Sequence, residues 1–281
     1  MMTPSEVVPP LTDDAVLRRI EDGVAWITLN RPEAGNAITA TMRDQIVIWL
    51  EEASADLAVR VVVLSGTGEK GFCTGADLRS QGPAPTRPDG APERAVGDAA
   101  RLIRTGWQRL VSAVLDCEKP VIAAVQATAA GGGMHLALAC DLVVAAEEAR
   151  FIEVFIRRGI APDAGGAYLL ARLIGPQKAK ELFFFGDDVP ALQAERMGLV
   201  NKVVPRAELS EEVGAWASRL AAAPTKAIGV AKYLTNRALD TDRATALWDE
   251  AVGQELVTGT EDCREGLTAF AERRPPVFRG W

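Results

Sequence analysis

The chain is short of the residues that most often carry chemistry. It has one histidine, His135, in 281 residues. Its four cysteines, Cys73, Cys117, Cys140 and Cys263, form no C-x-x-C pair. With a single imidazole to help them, a zinc site is not expected. Scattered thiols fit a reducing cytoplasm better than a disulfide scaffold. No apolar run reaches the ~20 residues of a membrane span. The opening stretch "MMTPSEVVPPLTDD" lacks the basic start and apolar core of a signal peptide. A cytoplasmic location is therefore expected. The net charge of −7 argues against a general binder of nucleic acid or anionic membrane. It leaves room for an anionic ligand on a local basic patch. No repeat of solenoid period is present.

The remaining composition, 48% hydrophobic and 25% charged, is that of a globular protein. Residues 1–14 read as a loose tail. "VAWITLN" (24–30) reads as a strand, "TATMRDQIVIWLEEASAD" (39–56) as a helix, and "VRVVVLSGTG" (59–68) as a buried strand. This βαβ opening predicts a parallel sheet with a right-handed crossover. The stretch 81–98, rich in proline and glycine, reads as a long mobile loop of the kind that often serves as a lid. A helix near 99–116, a strand at 120–127, a glycine turn with a helix at 131–140 and a strand at 141–147 follow. From 165 onward the pattern is mainly helical, punctuated by Gly175-Pro176, Pro205 and Pro224. The expected organisation is an α/β core over 15–205 and a helical C-terminal region over 206–281.

Two glycine turns follow two strands. They are "GFCTGADLRS" (71–80) and "AAGGGMHLALACD" (129–141). Small residues let the backbone turn sharply and present N–H groups to a ligand. Two such groups from separate turns would form an oxyanion hole. A glycine cluster taken alone more often serves a tight turn or close packing. Neither turn is a dinucleotide fingerprint or a P-loop, and no nucleophile elbow accompanies the histidine.

The segments "FCTGADLRS", "KPVIAAVQATAAGGGMHLALACDLVVAAEEARF", "GIAPDAGGAYLLARLIG" and "ERMGLVNKVVP" occur in that order, and a "FAERRPPVFRG" tail ends the match. Together they resemble the landmarks of the crotonase (enoyl-CoA hydratase/isomerase) superfamily. The resemblance implies a spiral of β-β-α units in two stacked sheets with a C-terminal helical trimerisation region. It implies an acyl-CoA partner and a homotrimer or dimer of trimers. Coenzyme A would be part of the substrate, with no separate cofactor. By residue matching, the backbone N–H groups of Ala76 and Gly132 would hold the thioester carbonyl. Asp77, Leu78, Arg79 and Phe155 would lie against substrate. Arg31, Arg79, Arg273 and Arg274 are candidates for the CoA phosphates, although basic residues are usually just solvated.

In the hydratases of this family two glutamates flank a water. Here His135 stands at the place of the first and Phe155 at the place of the second. Glu153 shares a face with Phe155 in an extended segment, but a charged residue near a strand end is expected to be solvated. Asp163, in "GIAPDAGGAYLL", has two readings. It suits a helix N-cap. It also stands where several isomerases of the superfamily keep an acidic residue, and "ARFIEVFIRRGIAPDAGG" looks especially like the 1,2-epoxyphenylacetyl-CoA isomerase branch. The resemblance thus implies a single-base isomerase using Asp163. His135 lines the site or fills a structural place. The alternatives are a hydratase with altered catalytic groups, His135 and Asp163 acting on water, and a catalytically silent acyl-CoA binder.

Overall fold

Turn chemistry and β-branching build the first sheet. The computed structural model describes residues 14–79 and 86–281. Strand β1 (Val16–Glu21) turns through Asp22 and Gly23 into β2 (Val24–Leu29), antiparallel to it. Both turn residues have positive φ, +50° and +78°, which suits a two-residue hairpin. This first strand was not foreseen in the sequence. Helix α1 (Ala40–Ala55) starts where the Thr39 hydroxyl accepts from the Met42 amide, and it buries Met42, Ile46 and Leu50 at intervals of four. That interval makes one face. Strand β3 (Val61–Gly66) then pairs parallel to β2, as the βαβ reading required.

Three strand pairs follow one rule. Each first member joins a six-stranded sheet and each second member a four-stranded one. The pairs are β3 with β4 (Gly71–Cys73), β5 (Val121–Val125) with β6 (Thr128–Ala130), and β7 (Leu142–Ala146) with β8 (Arg150–Ile152). Helices follow each pair. After β4 come α2 (Asp98–Ile103), a π-helical turn over Arg104–Gln108, and α3 (Arg109–Leu115). After β6 comes α4 (Gly132–Ala139), and after β8 comes α5 (Gly166–Phe185), which breaks at Gly175 before Pro176. This is the expected ββα repeat in two sheets.

Strand β9 (Asp188–Pro190), helix α6 (Ala191–Met197) and strand β10 (Lys202–Val204) complete the sheets. The orders are β1-β2-β3-β5-β7-β10 and β4-β6-β8-β9. Helices α7 (Leu209–Ala221), α8 (Thr225–Ala238), α9 (Arg243–Thr258) and α10 (Glu261–Glu272) form the C-terminal region. Helix α7 lays Leu209, Val213 and Ala217 on the face of the larger sheet that carries Val61, Val63, Ile122 and Val144. The opposite face, the smaller sheet and helices α1, α3 and α4 enclose the main core. The expected tail, apart from residue 14, and the start of the expected lid lie outside the described residues; 86–97 carries no helix or strand. Among the described residues, no helix is long and apolar enough to cross a membrane.

Helix α4 is buried along all eight of its residues. It packs against α3, α5, β4 and β6. Its composition allows this, because glycine and alanine leave room for neighbouring backbone. A Cβ at Gly133 would fall 2.1 Å from the carbonyl oxygen of Cys73 on β4. Gly133→Ala must therefore move backbone, and we expect it to destabilise the protein by ~2 kcal/mol or more. Gly214→Ala in α7 would meet nothing within 4 Å, and should be neutral or slightly stabilising. Urea denaturation of the two variants checks the contrast.

Candidate active site

The first glycine turn is held by a buried polar framework. Asn36 is fully buried; its side-chain amide donates to the carbonyls of Thr67 (2.9 Å) and Gly71 (2.7 Å), and its oxygen accepts from the Arg31 amide (2.8 Å). Arg31 donates to the Ala37 carbonyl and to the Asp77 carboxylate at 2.9 Å. The Ile38 amide donates to Gly75, and the Asp77 amide donates back to Ile38. Ala76 is thereby fixed between two bonded neighbours. Burial alone would raise the pKa of Asp77. Hydrogen bonds from the Arg31 side chain and from the Arg79 amide and side chain outweigh it and hold the carboxyl below its ordinary value.

The second turn meets the first. Gly131 has φ +53° and ψ −126°, a conformation that L side chains rarely adopt. A Cβ at Gly75 would lie 3.1 Å from the Ala130 carbonyl oxygen and 3.5 Å from the Gly132 nitrogen. The loop carrying Ala76 therefore abuts the start of α4. Among the described residues, neither the Ala76 nor the Gly132 amide donates a hydrogen bond to the backbone or to a side chain. The Trp107 ring, carried on the π-helical turn, lies where a Cβ of Gly132 would fall, 2.9 Å from its nearest carbons. The Cys73 thiol beneath is pushed up to about 12 by burial, against a backbone hydrogen bond that lowers it. It is a neutral packing group.

His135, on the first turn of α4, is completely buried, and its Nε2 lies 2.8 Å from Oε1 of Glu153. Glu153 is 2% exposed. The expectation of a solvated Glu153 is thus wrong. The strand ends at Ile152, and the chain turns through Val154 and Phe155 inside the protein, which brings the Glu153 carboxyl to the histidine. Phe155 stacks on His135 with centroids 5.3 Å apart and planes 15° apart. It also borders Gly131, whose Cβ would fall 3.6 Å from the ring.

Asp163 sits in the loop before α5. The residue that caps α5 is Gly165, and no side chain caps that helix. The N-cap reading of Asp163 is therefore excluded. Its carboxyl is half-buried and makes no hydrogen bond to another described residue. Desolvation pushes its pKa up; nearby His135 opposes this and Glu153 adds to it. The next residue, Ala164, is fully buried with φ +51°. A left-handed alanine costs ~1–2 kcal/mol, so the surroundings must hold this turn.

The structure thus brings together His135, Glu153, Phe155 and Asp163 on one side and joins the turns of Ala76 and Gly132 on the other. Asp77 turns its carboxyl inward to Arg31, while Leu78 and the Arg79 side chain are exposed. Of the phosphate candidates, Arg31 is buried and engaged in internal bonds, and Arg274 is paired at the surface with Glu265 and Glu272. Arg273 is exposed. Trp107 and the Asn36 framework were not foreseen, and nothing local in the sequence marks them.

A model of the enoyl-CoA hydratase/isomerase family matches residues 19–280. The chain belongs to this family. It is 36% identical to a 1,2-epoxyphenylacetyl-CoA isomerase of Escherichia coli, over 94% of this chain and 98% of that protein. It is equally 36% identical to a crotonyl-CoA hydratase of Syntrophomonas wolfei, over 92% and 95%. The crystal structure of an enoyl-CoA hydratase from Bacillus anthracis superposes with a TM-score of 0.84 at 32% identity, covering 95% of this chain and all of that one. The fold is that of the crotonase superfamily. Relatives of both reaction types are similarly distant, so identity alone does not separate isomerase from hydratase.

The Arg31–Asp77 pair is buried on both sides, with 11% and 2% of the side chains exposed. Removing Arg31 leaves the buried Asp77 carboxyl with its bonds from Arg79 alone. We expect Arg31→Met to lower stability by ~3 kcal/mol, read by urea denaturation at neutral pH. Because Asp77 is held below its ordinary pKa, the loss should shrink as pH falls and the carboxyl is protonated in both states.

Proposed function

We propose that this family member is a single-base isomerase of acyl-CoA thioesters, shifting a double bond or rearranging a ring through an enolate. The observation that carries the reading is Asp163: a half-buried carboxyl with a raised pKa and no described hydrogen-bond partner, near His135, on which the non-acidic Phe155 stacks. The thioester oxygen accepts from the amides of Ala76 and Gly132. Asp163, ionised, removes the proton α to the carbonyl. The resulting dienolate places its charge on that oxygen, where the two amides stabilise it; one such donor contributes ~3 kcal/mol. The protonated Asp163 then returns the proton at the γ carbon. One carboxyl suffices for both transfers, and a raised pKa suits a group that must hold the proton between them. Hydration needs a group to activate water as well. His135 is a poor candidate, since its ring is enclosed and its Nε2 is engaged by Glu153.

We further propose a homotrimer or dimer of trimers. Tyr233, Leu247, Trp248, Leu256 and Phe270 on α8, α9 and α10 are exposed in the single chain, and apolar surface of this kind favours association. Light scattering at micromolar concentration should give a trimer or hexamer. A stable monomer would count against it.

Asp163→Asn should bind acyl-CoA normally and lose turnover by ~10²-fold or more. The assay compares 3-enoyl-CoA isomerisation, 2-enoyl-CoA hydration and exchange of α-protons with deuterated water. Full exchange in the Asp163→Asn protein would refute the reading. Tight binding with no exchange in either protein would identify a silent binder. The pH profile is a separate check. The base works ionised, so kcat/KM should fall as pH drops through its pKa. Because burial raises that pKa, the fall should begin above the range of an ordinary aspartate at ~3.9.

A further inference from the structure

Resting on the isomerase reading, we propose that His135 and Glu153 act as a positioning pair for Asp163. His135 is the strut under the turn that carries the base, and Glu153 fixes the angle of its ring.

The contact is steric and direct. A Cβ at Gly166 would fall 2.1 Å from both Cε1 and Nε2 of His135. Only a glycine lets the imidazole lie against the start of α5. The Gly166 amide in turn donates to the Asp163 carbonyl at 3.0 Å. The residue touched by the ring therefore closes the turn that carries Asp163. Between them, Ala164 and Gly165 both have positive φ, +51° and +77°. Such a turn keeps its shape only while its surroundings hold it.

The ring itself is locked. Its hydrogen bond to Glu153 is buried at both ends. Rotation away would leave that carboxylate buried and unpaired. Phe155 stacks on the ring and limits tilting. Nδ1 of His135 and Oε2 of Glu153 have no partner among the described residues, so the Nε2–Oε1 bond is the one polar tie that sets the orientation. A displacement of the base by about 1 Å can cost ~10²-fold in rate. A shift of the ring is passed to Gly166 and through it to Asp163. The pair touches no reacting atom in this reading. Its role is geometric.

The experiment uses the full chain with trans-3-hexenoyl-CoA as probe, reading kcat and KM together with the Nε2 signal of the single imidazole in the nitrogen-15 spectrum. Glu153→Gln keeps a hydrogen-bonding amide of the same shape and should hold kcat within about threefold. Glu153→Leu cannot bond the ring and should lower kcat by about tenfold or more with KM changed less than about twofold. Wild-type kcat in Glu153→Leu overturns the proposal. So does a loss in Glu153→Gln as deep as in Glu153→Leu, which would make Glu153 a proton-transfer group. If Glu153→Leu fails to fold, Glu153→Met, nearer in shape to glutamate and equally unable to bond the ring, decides; it should show the same fall in kcat at steady KM, and an unchanged kcat overturns the proposal. Asp163→Asn separates the two readings. If it exchanges α-protons as fast as wild type, the base assignment fails. The pair is still read from the Nε2 signal, which should move least in Glu153→Gln and further in Glu153→Leu, where the bond is lost, and should shift in Gly166→Ala. An unmoved signal in Gly166→Ala removes the contact itself.

Discussion

The close approach of α4 to its neighbours is the constraint on which the site depends. Gly133 lies against the Cys73 carbonyl and Gly132 against the Trp107 ring, while the His135 ring on the same turn lies against Gly166 at the start of α5. Each contact is closer than a Cβ would permit. Together they bring β4, the π-helical turn and the start of α5 to the first turn of one helix. The main core behind that turn is largely alanine and β-branched side chains, with β5 and α4 buried throughout. Such a core packs tightly and leaves little slack for any element to drift.

His135 follows from this crowding. Its ring is bonded to Glu153 through Nε2, and the pair is enclosed as a unit. A lone histidine beside a glycine turn invites a catalytic reading, but complete burial and an engaged Nε2 describe a group that holds structure. Asp163 has the opposite character. It is partly desolvated, free of a described hydrogen-bond partner, and set on a strained turn. Strain of that kind persists only where the surroundings over-determine it.

Much of this was legible in the sequence, and the reasons differ by element. Strands β2, β3, β5 and β7 were readable as short apolar runs rich in β-branched residues, α1 by its helical spacing, and α4 by the glycine turn in front of it. The family was readable because four motifs keep their order. Strand β1 was not, since five of its six residues are not buried and it shows no apolar alternation. Glu153 was misjudged for a related reason. An extended run through Phe155 was the basis of its reading, but the chain turns at Val154 and Phe155 and its burial comes from its bond to His135 on α4. The Arg31–Asp77 pair joins residues 46 apart, and no local pattern announces it. Where a side chain's environment is built by remote segments, sequence reading returns the average behaviour of its residue type.

The two carboxyls near the site show why that average fails here. Glu153 and Asp163 are both acidic residues at the edges of regular elements, and both would ordinarily be solvated. One meets an imidazole and becomes part of the frame. The other meets no described partner and stays titratable at a raised pKa. The difference lies in geometry: Gly166 gives the imidazole room beside the turn of Asp163, while its Nε2 goes to Glu153. A base that must take up and release the same proton needs to be near a charge partner without being neutralised by it. Pairing the histidine with Glu153 meets that need, because the Nε2 of the ring is then bonded to Glu153 and not to the proposed base.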